Sequence, residues 1–280
     1  MKYCMSTMCI ETSSIEDKID SISKAGFDSI ELWIKDVKDI KYIKNKLSDN
    51  GLKISETVKL EGWFELDGSL MNVKDDENSI LDECKKRIEI TAELNCPYII
   101  TLPSRNDRGR FRSVEAGADM YQRILEIGKN FNVCPTLEFV GQTSQLNNIN
   151  KTLKFLELIN DDFAKIVIDV FHIWRSGDSI ESFLNVPVEK ISILHIHDVL
   201  SSYPRDQYKD RHRVMPGDGI LDLKKFIQIA LKKGFNGDIS LGVYNHDNWS
   251  RNPFEVAKEG YEKLKKIIEE AHNEYLYNGQ

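Results

Sequence analysis

The sequence has no run approaching the roughly 18 consecutive apolar residues that a membrane-spanning helix requires, which argues against a helical anchor. Its opening, MKYCMSTMCI, holds one lysine and no long apolar stretch, so it reads as a first strand rather than a secretory leader. No C-x-x-C pair occurs. The five cysteines (Cys4, Cys9, Cys84, Cys96 and Cys134) are scattered and odd in number, and are expected to be reduced, buried residues of a cytoplasmic protein. There is no excess of basic charge either: 38 Lys and Arg stand against 45 Asp and Glu, net −7, which excludes the broad basic face of a nucleic-acid binder but leaves room for a local anion pocket. No linker rich in proline, glycine or serine divides the chain, so residues 1–280 are expected to form one domain.

What is present is a regular alternation. Short apolar runs at Lys2–Thr7, Ser29–Trp33, Lys53–Val58, Tyr98–Leu102, Pro135–Val140, Lys165–Val170, Ser192–His197 and Asp238–Tyr244 read as strands. Between them lie segments with helical spacing. The first carries Ile15, Ile19 and Ile22 behind a Ser13-x-x-Glu16 capping box, with Gly26 past its end. The last, Pro253–Glu270, places Val256, Tyr261, Leu264 and Ile267 on one stripe. Eight strands each followed by a helix is the count that closes a (β/α)8 TIM barrel, and 280 residues suit its usual length of about 250. An open doubly wound sheet is the alternative, but no strand is followed by a G-x-G-x-x-G turn. Two long loops stand out, Lys59–Lys74 with Trp63 and Phe64, and the polar Val199–Gly219; segments of that length usually serve as lids or binding loops.

Five of the six histidines (His172, His195, His197, His212 and His246) fall at or just beyond the last three strands. The fifth strand is interrupted by Glu138, the sixth by Asp169, and the seventh by His195 and His197. An ionised carboxylate inside a barrel strand is costly unless it is paired or metal-bound, so one shared cation explains all three interruptions together. Taken singly, Glu138 could be an ion pair and a strand histidine a satisfied core residue. Taken jointly, Glu138, Asp169 and His195 form a candidate metal set whose O, O, N donors suit manganese, magnesium, cobalt or zinc alike.

The segments Gly26–Trp33, Leu137–Gly141, Ile168–His172, His195–Asp198 and Arg213–Gly219 resemble the xylose isomerase-like barrel family of sugar isomerases and epimerases. Within it the 2-keto-myo-inositol isomerases are most similar, and the 3-dehydroshikimate dehydratases share the stretch Phe171–Trp174. The resemblance implies a divalent ion held by Glu138, Asp169 and His195, with Glu138 also acting as a base and His172 as a proton shuttle. It further implies Glu31, Trp33, His197, His212 and Arg213 as substrate contacts. The expected substrate is a small polyhydroxylated ketone, in a possible homo-oligomer with neither nucleic acid nor membrane as partner. The fourth family ligand, a Glu on strand eight, is replaced by Gly242. Three functions remain open: isomerisation or epimerisation of a keto-sugar or keto-inositol, dehydration of inosose or 3-dehydroshikimate, and sugar binding without turnover.

Overall fold

The computed structural model describes residues 1–60, 77–102, 113–143 and 146–278. Eight parallel strands close on themselves: β1 (Lys2–Ser6), β2 (Ser29–Trp33), β3 (Lys53–Leu60), β4 (Tyr98–Thr101), β5 (Cys134–Glu138), β6 (Ile166–Asp169), β7 (Ile191–Ile196) and β8 (Asp238–Leu241), with β8 returning to β1. Each is followed by a helix: α1 (Ile15–Ala25), α2 (Ile40–Asp49), α3 (Glu77–Glu93), α4 (Val114–Phe131), α5 (Ile149–Ile159), α6 (Val170–Ser176), α7 (Leu223–Lys232) and α8 (Pro253–Asn278). The architecture is the (β/α)8 barrel that the strand count implies.

Helix stripes supply the outer core. Ile19 and Ile22 of α1 are fully buried against the cylinder, as are Tyr121, Ile124 and Leu125 of α4 and Phe226, Ile227 and Ala230 of α7. The N-cap of α1 is Ser14, whose hydroxyl accepts from the Asp17 amide, so the helix is capped one residue later than the Ser13-x-x-Glu16 pattern suggests, by a single side-chain-to-backbone bond rather than a reciprocal box. Gly26 closes that helix at φ +103°, a conformation glycine adopts without a Cβ penalty. The inner core is smaller, with Val58, Ile100, Leu102, Val140, Val167 and Ile193 packing together against Trp33 inside the barrel. Among the described residues no helix is long and apolar enough to cross a membrane.

Seven of the eight strands end one to three residues from the expected position, and in three of them the backbone shows why. β8 stops at Leu241 because the Val243 amide leaves the ladder and donates to Cys9 Sγ at 3.2 Å. β5 stops at Glu138, since the Val140 amide turns to the Leu146 carbonyl. β6 passes into α6 with no loop, because Asp169 is itself the N-cap, its Oδ1 accepting from the His172 amide at 3.0 Å.

The long loop after β7 is fastened at its root. Asp198–Val199 pairs antiparallel with Arg213–Val214, and the Asp198 carboxylate accepts from the amides of Val199, Gly217, Gly219 and Leu221. Of the other long loop, residues 61–74, including Trp63 and Phe64, lie outside the described residues.

Candidate functional site

Strand register brings the polar residues to one level. Ser6 pairs with Glu31, Glu31 with Glu56, Asp169 with His195, and His195 with Ser240. The pairing of Glu31 with Glu56 depends on a one-residue register shift between Ile30 and Glu31, which skips Ser55 and aims Glu56 inward.

His195 stands at the centre. Its Nδ1 lies 3.0 Å from Glu138 Oε1 and 3.7 Å from Asp169 Oδ2, while Nε2 lies 2.7 Å from Glu56 Oε1 and 3.4 Å from Glu31 Oε2. The ligating atoms of Glu138, Asp169 and His172 fall within 4.8 Å of one another, and so do those of Glu31, Glu56 and His195. All six residues are buried. Glu31 is fully engaged, accepting from Ser6 Oγ at 2.7 Å, Ser240 Oγ at 2.8 Å and Tyr244 OH at 3.3 Å.

Charge decides what such a cluster needs. Four buried carboxylates (Glu31, Glu56, Glu138 and Asp169) face one buried guanidinium, Arg213, and the His195 imidazole. Burial works to discharge His195, yet Glu138, Glu31 and Glu56 outweigh it and hold its pKa well above the usual value. Burial also pushes Glu56 up, to about 8, with His195 opposing. Asp169 goes the other way: burial is overcome by His197, Arg213 and His172, which hold it well below the ordinary carboxylate range. Among the described residues, Asp169 Oδ2 and Glu56 Oε2 are buried with no hydrogen-bond partner, although Asp169 Oδ2 lies 3.4 Å from the Arg213 guanidinium. Surplus buried anionic charge and carboxylate oxygens without hydrogen bonds are the features of a cation site, so the residues present fit a divalent ion.

Above the cluster lies a cavity of about 260 Å³ lined in part by Trp33, Glu138, His172, Arg211, Arg213 and Tyr244. Burial lowers the His172 pKa, favouring the neutral imidazole, and among the described residues its Nδ1 has no hydrogen-bond partner. The Arg213 guanidinium is sandwiched 4.9 Å from the Phe171 ring and 4.8 Å from the Tyr244 ring. Its Nη2 reaches Asp210 at 2.9 Å and Asp169 at 3.4 Å, its Nη1 donates to the Gly242 carbonyl at 3.1 Å, and its Nε has no partner.

The profile of the xylose isomerase-like TIM barrel family matches residues 19–267. The chain belongs to that family. As a xylose isomerase-like barrel it is 24% identical over 274 residues to an inosose isomerase of Halalkalibacterium halodurans, covering 96% of each chain. It is 22% identical to an inosose dehydratase of Mesomycoplasma hyopneumoniae, covering 91% of this chain and 89% of the other. Among solved structures, a crystal structure of the IOLI protein with a bound zinc atom superposes with a TM-score of 0.86 at 21% identity, covering 97% and 99% of the two chains.

Of the residues singled out in the sequence, this xylose isomerase-like barrel brings Glu138, Asp169, His195 and His172 together and puts Trp33 and Arg213 on the cavity wall. Glu31 lies beneath, among the carboxylates. His197 is fully buried with Nε2 3.3 Å from Asp169, and burial together with Arg213 lowers its pKa to about 4. His212 stacks on Tyr203 at 4.9 Å and is not among the residues lining the cavity; its neighbour Arg211 is. Glu56 is the member that sequence reasoning passed over. The rule that found Glu138, a carboxylate interrupting an apolar strand, applies equally to Lys-Ile-Ser-Glu-Thr-Val at the third strand.

Proposed function

We propose that this chain is a divalent-metal-dependent isomerase of a keto-cyclitol. The observation that carries the reading is the convergence of Glu138, Asp169 and His195 Nδ1 at the mouth of the barrel, with His172 close enough to the same two carboxylates to share an ion-sized cluster with them. The names of the full-length relatives supply the substrate class.

Glu138, Asp169 and His195 would hold the ion, which supplies Lewis acidity toward a substrate carbonyl and makes the adjacent C–H more acidic. His172, neutral in its buried position, takes that proton at Nδ1 from the carbinol carbon beside the ketone and returns it to the former carbonyl carbon, while the carbinol hydroxyl proton passes to the former carbonyl oxygen, so that the ketone moves by one position. Trp33 offers a flat face to the ring, and Arg213 Nε is available to donate to a substrate oxygen.

The dehydratase reading is second and rests on the inosose dehydratase relative; loss of a β-hydroxyl after the same proton abstraction gives an enone rather than a shifted ketone. Incubating the metal-analysed protein with inososes, and following the product by proton NMR and ultraviolet absorbance, separates the two. One tightly held ion and a shifted ketone support isomerisation, a conjugated chromophore supports dehydration, and binding without turnover overturns both. His172→Ala is expected to lower kcat by about 10²- to 10⁴-fold, the usual contribution of a general base, while metal content stays near that of the parent protein. Unchanged turnover would remove His172 from its role.

A further inference from the structure

His195 makes close contacts through both ring nitrogens, and the two sides differ in kind. Nδ1 faces Glu138, which lines the cavity, and the fully buried Asp169. Nε2 faces inward to Glu56, at 2.7 Å, with Glu31 farther off at 3.4 Å. Glu31 is committed elsewhere, to two serine hydroxyls and a tyrosine hydroxyl, whereas Glu56 meets His195 through Oε1 and, among the described residues, its Oε2 has no hydrogen-bond partner. A histidine can give only one nitrogen to an ion while keeping a proton on the other, and the group that accepts that proton decides which nitrogen is free.

We propose that Glu56 is the positioning residue that fixes His195 as a ligand through Nδ1, by accepting the Nε2 proton from the third strand. The inference rests on the metal-dependent reading above and adds to it a residue on a strand that contributes no expected ligand. The register shift between Ile30 and Glu31 is what makes it possible, because without it Ser55 rather than Glu56 would stand beside Glu31. A serine hydroxyl would offer one weak acceptor where a carboxylate offers two strong ones.

The test is zinc binding by the full chain, measured by competition with a chelating indicator, together with nitrogen NMR of histidine-labelled protein loaded with zinc. The parent protein is expected to take up one zinc with His195 protonated at Nε2. Glu56→Ala is expected to bind zinc about 10- to 100-fold more weakly, the range seen when the carboxylate behind a ligating imidazole is lost. Glu56→Gln, which keeps a carbonyl acceptor, is expected to recover most of that affinity. A folded Glu56→Ala protein with unchanged zinc affinity overturns the proposal and leaves the metal-dependent reading intact. A second zinc per chain, seated on Glu31 and Glu56, also overturns it, as does a zinc-loaded His195 protonated at Nδ1. The last outcome is read on the parent protein and decides the matter even if Glu56→Ala does not fold. A parent protein that takes up no zinc or other divalent ion sinks the broader reading as well.

Discussion

Gly242 sits where the seventh and eighth strands leave the sheet, its amide still donating to the Ile196 carbonyl at 3.3 Å. A Cβ built there would meet Arg213 Nη1 and His197 Nδ1 at 3.5 Å and Tyr244 OH at 3.6 Å, all ordinary van der Waals contacts, so the backbone admits a side chain. What occupies that space instead is the Arg213 guanidinium, which reaches Asp169 at 3.4 Å and the Gly242 carbonyl at 3.1 Å. A cation thus stands beside the carboxylates where the family resemblance leads one to expect an anion. Gly242→Glu is expected to tighten divalent-ion binding, read by the same chelator competition, with Gly242→Ala unchanged as the control. No gain from the glutamate variant would mean that strand eight is aligned wrongly with the family pattern.

At the level of elements, one side chain gathers the two ends of the loop after β7. Asp198 is buried and accepts from four backbone amides spread over residues 199–221, which holds the loop in the shape that carries Asp210, Arg211 and Arg213 to the cavity. Burial raises the Asp198 pKa, and the amides of Leu221, Val199, Gly219 and Gly217 oppose that rise. Asp198→Ala strips those amides of their acceptor and is expected to cost about 2–4 kcal/mol in urea unfolding, a few hydrogen bonds' worth at the usual net value plus the penalty of unsatisfied groups. Asp198→Asn keeps one acceptor oxygen and is expected to lose roughly half as much. Equal stability of all three proteins would show that the loop is held by its other contacts.

Over the whole molecule, the closed cylinder was legible because helix stripes and strand runs alternate without a break, and burial followed the pattern at Ile19, Ile22, Tyr121 and Phe226. The gathering of Glu138, Asp169 and His195 was legible because a charged residue in an apolar strand needs a partner. Glu56 follows the same rule, yet which way it points is set by a register shift that no local pattern records. The direction of His212 was not legible for a related reason: in a loop, side-chain direction follows from turns such as the one that stacks it on Tyr203. The cysteines complete the picture at this scale. All five thiols are buried, and burial raises each pKa, that of Cys9, Cys84 and Cys134 to about 12. A thiol reacts as its thiolate, so the native protein at pH 8 is expected to give no rapid colour with a disulfide reagent, and five equivalents after unfolding. Rapid labelling of the native protein would place at least one thiol at the surface.

The first and last staves of the barrel, some 230 residues apart in sequence, meet over one carboxylate, since Glu31 is held at once by Ser6 of β1 and Ser240 of β8. During synthesis that meeting cannot occur until the eighth stave has emerged. A chain halted after β7 would have Glu31, Glu56 and His195 in hand but no Ser240 to complete the ring, and its acidic interior would stay open to water. Closure of the cylinder by β8 is therefore also what completes the hydrogen bonding of its most deeply held carboxylate.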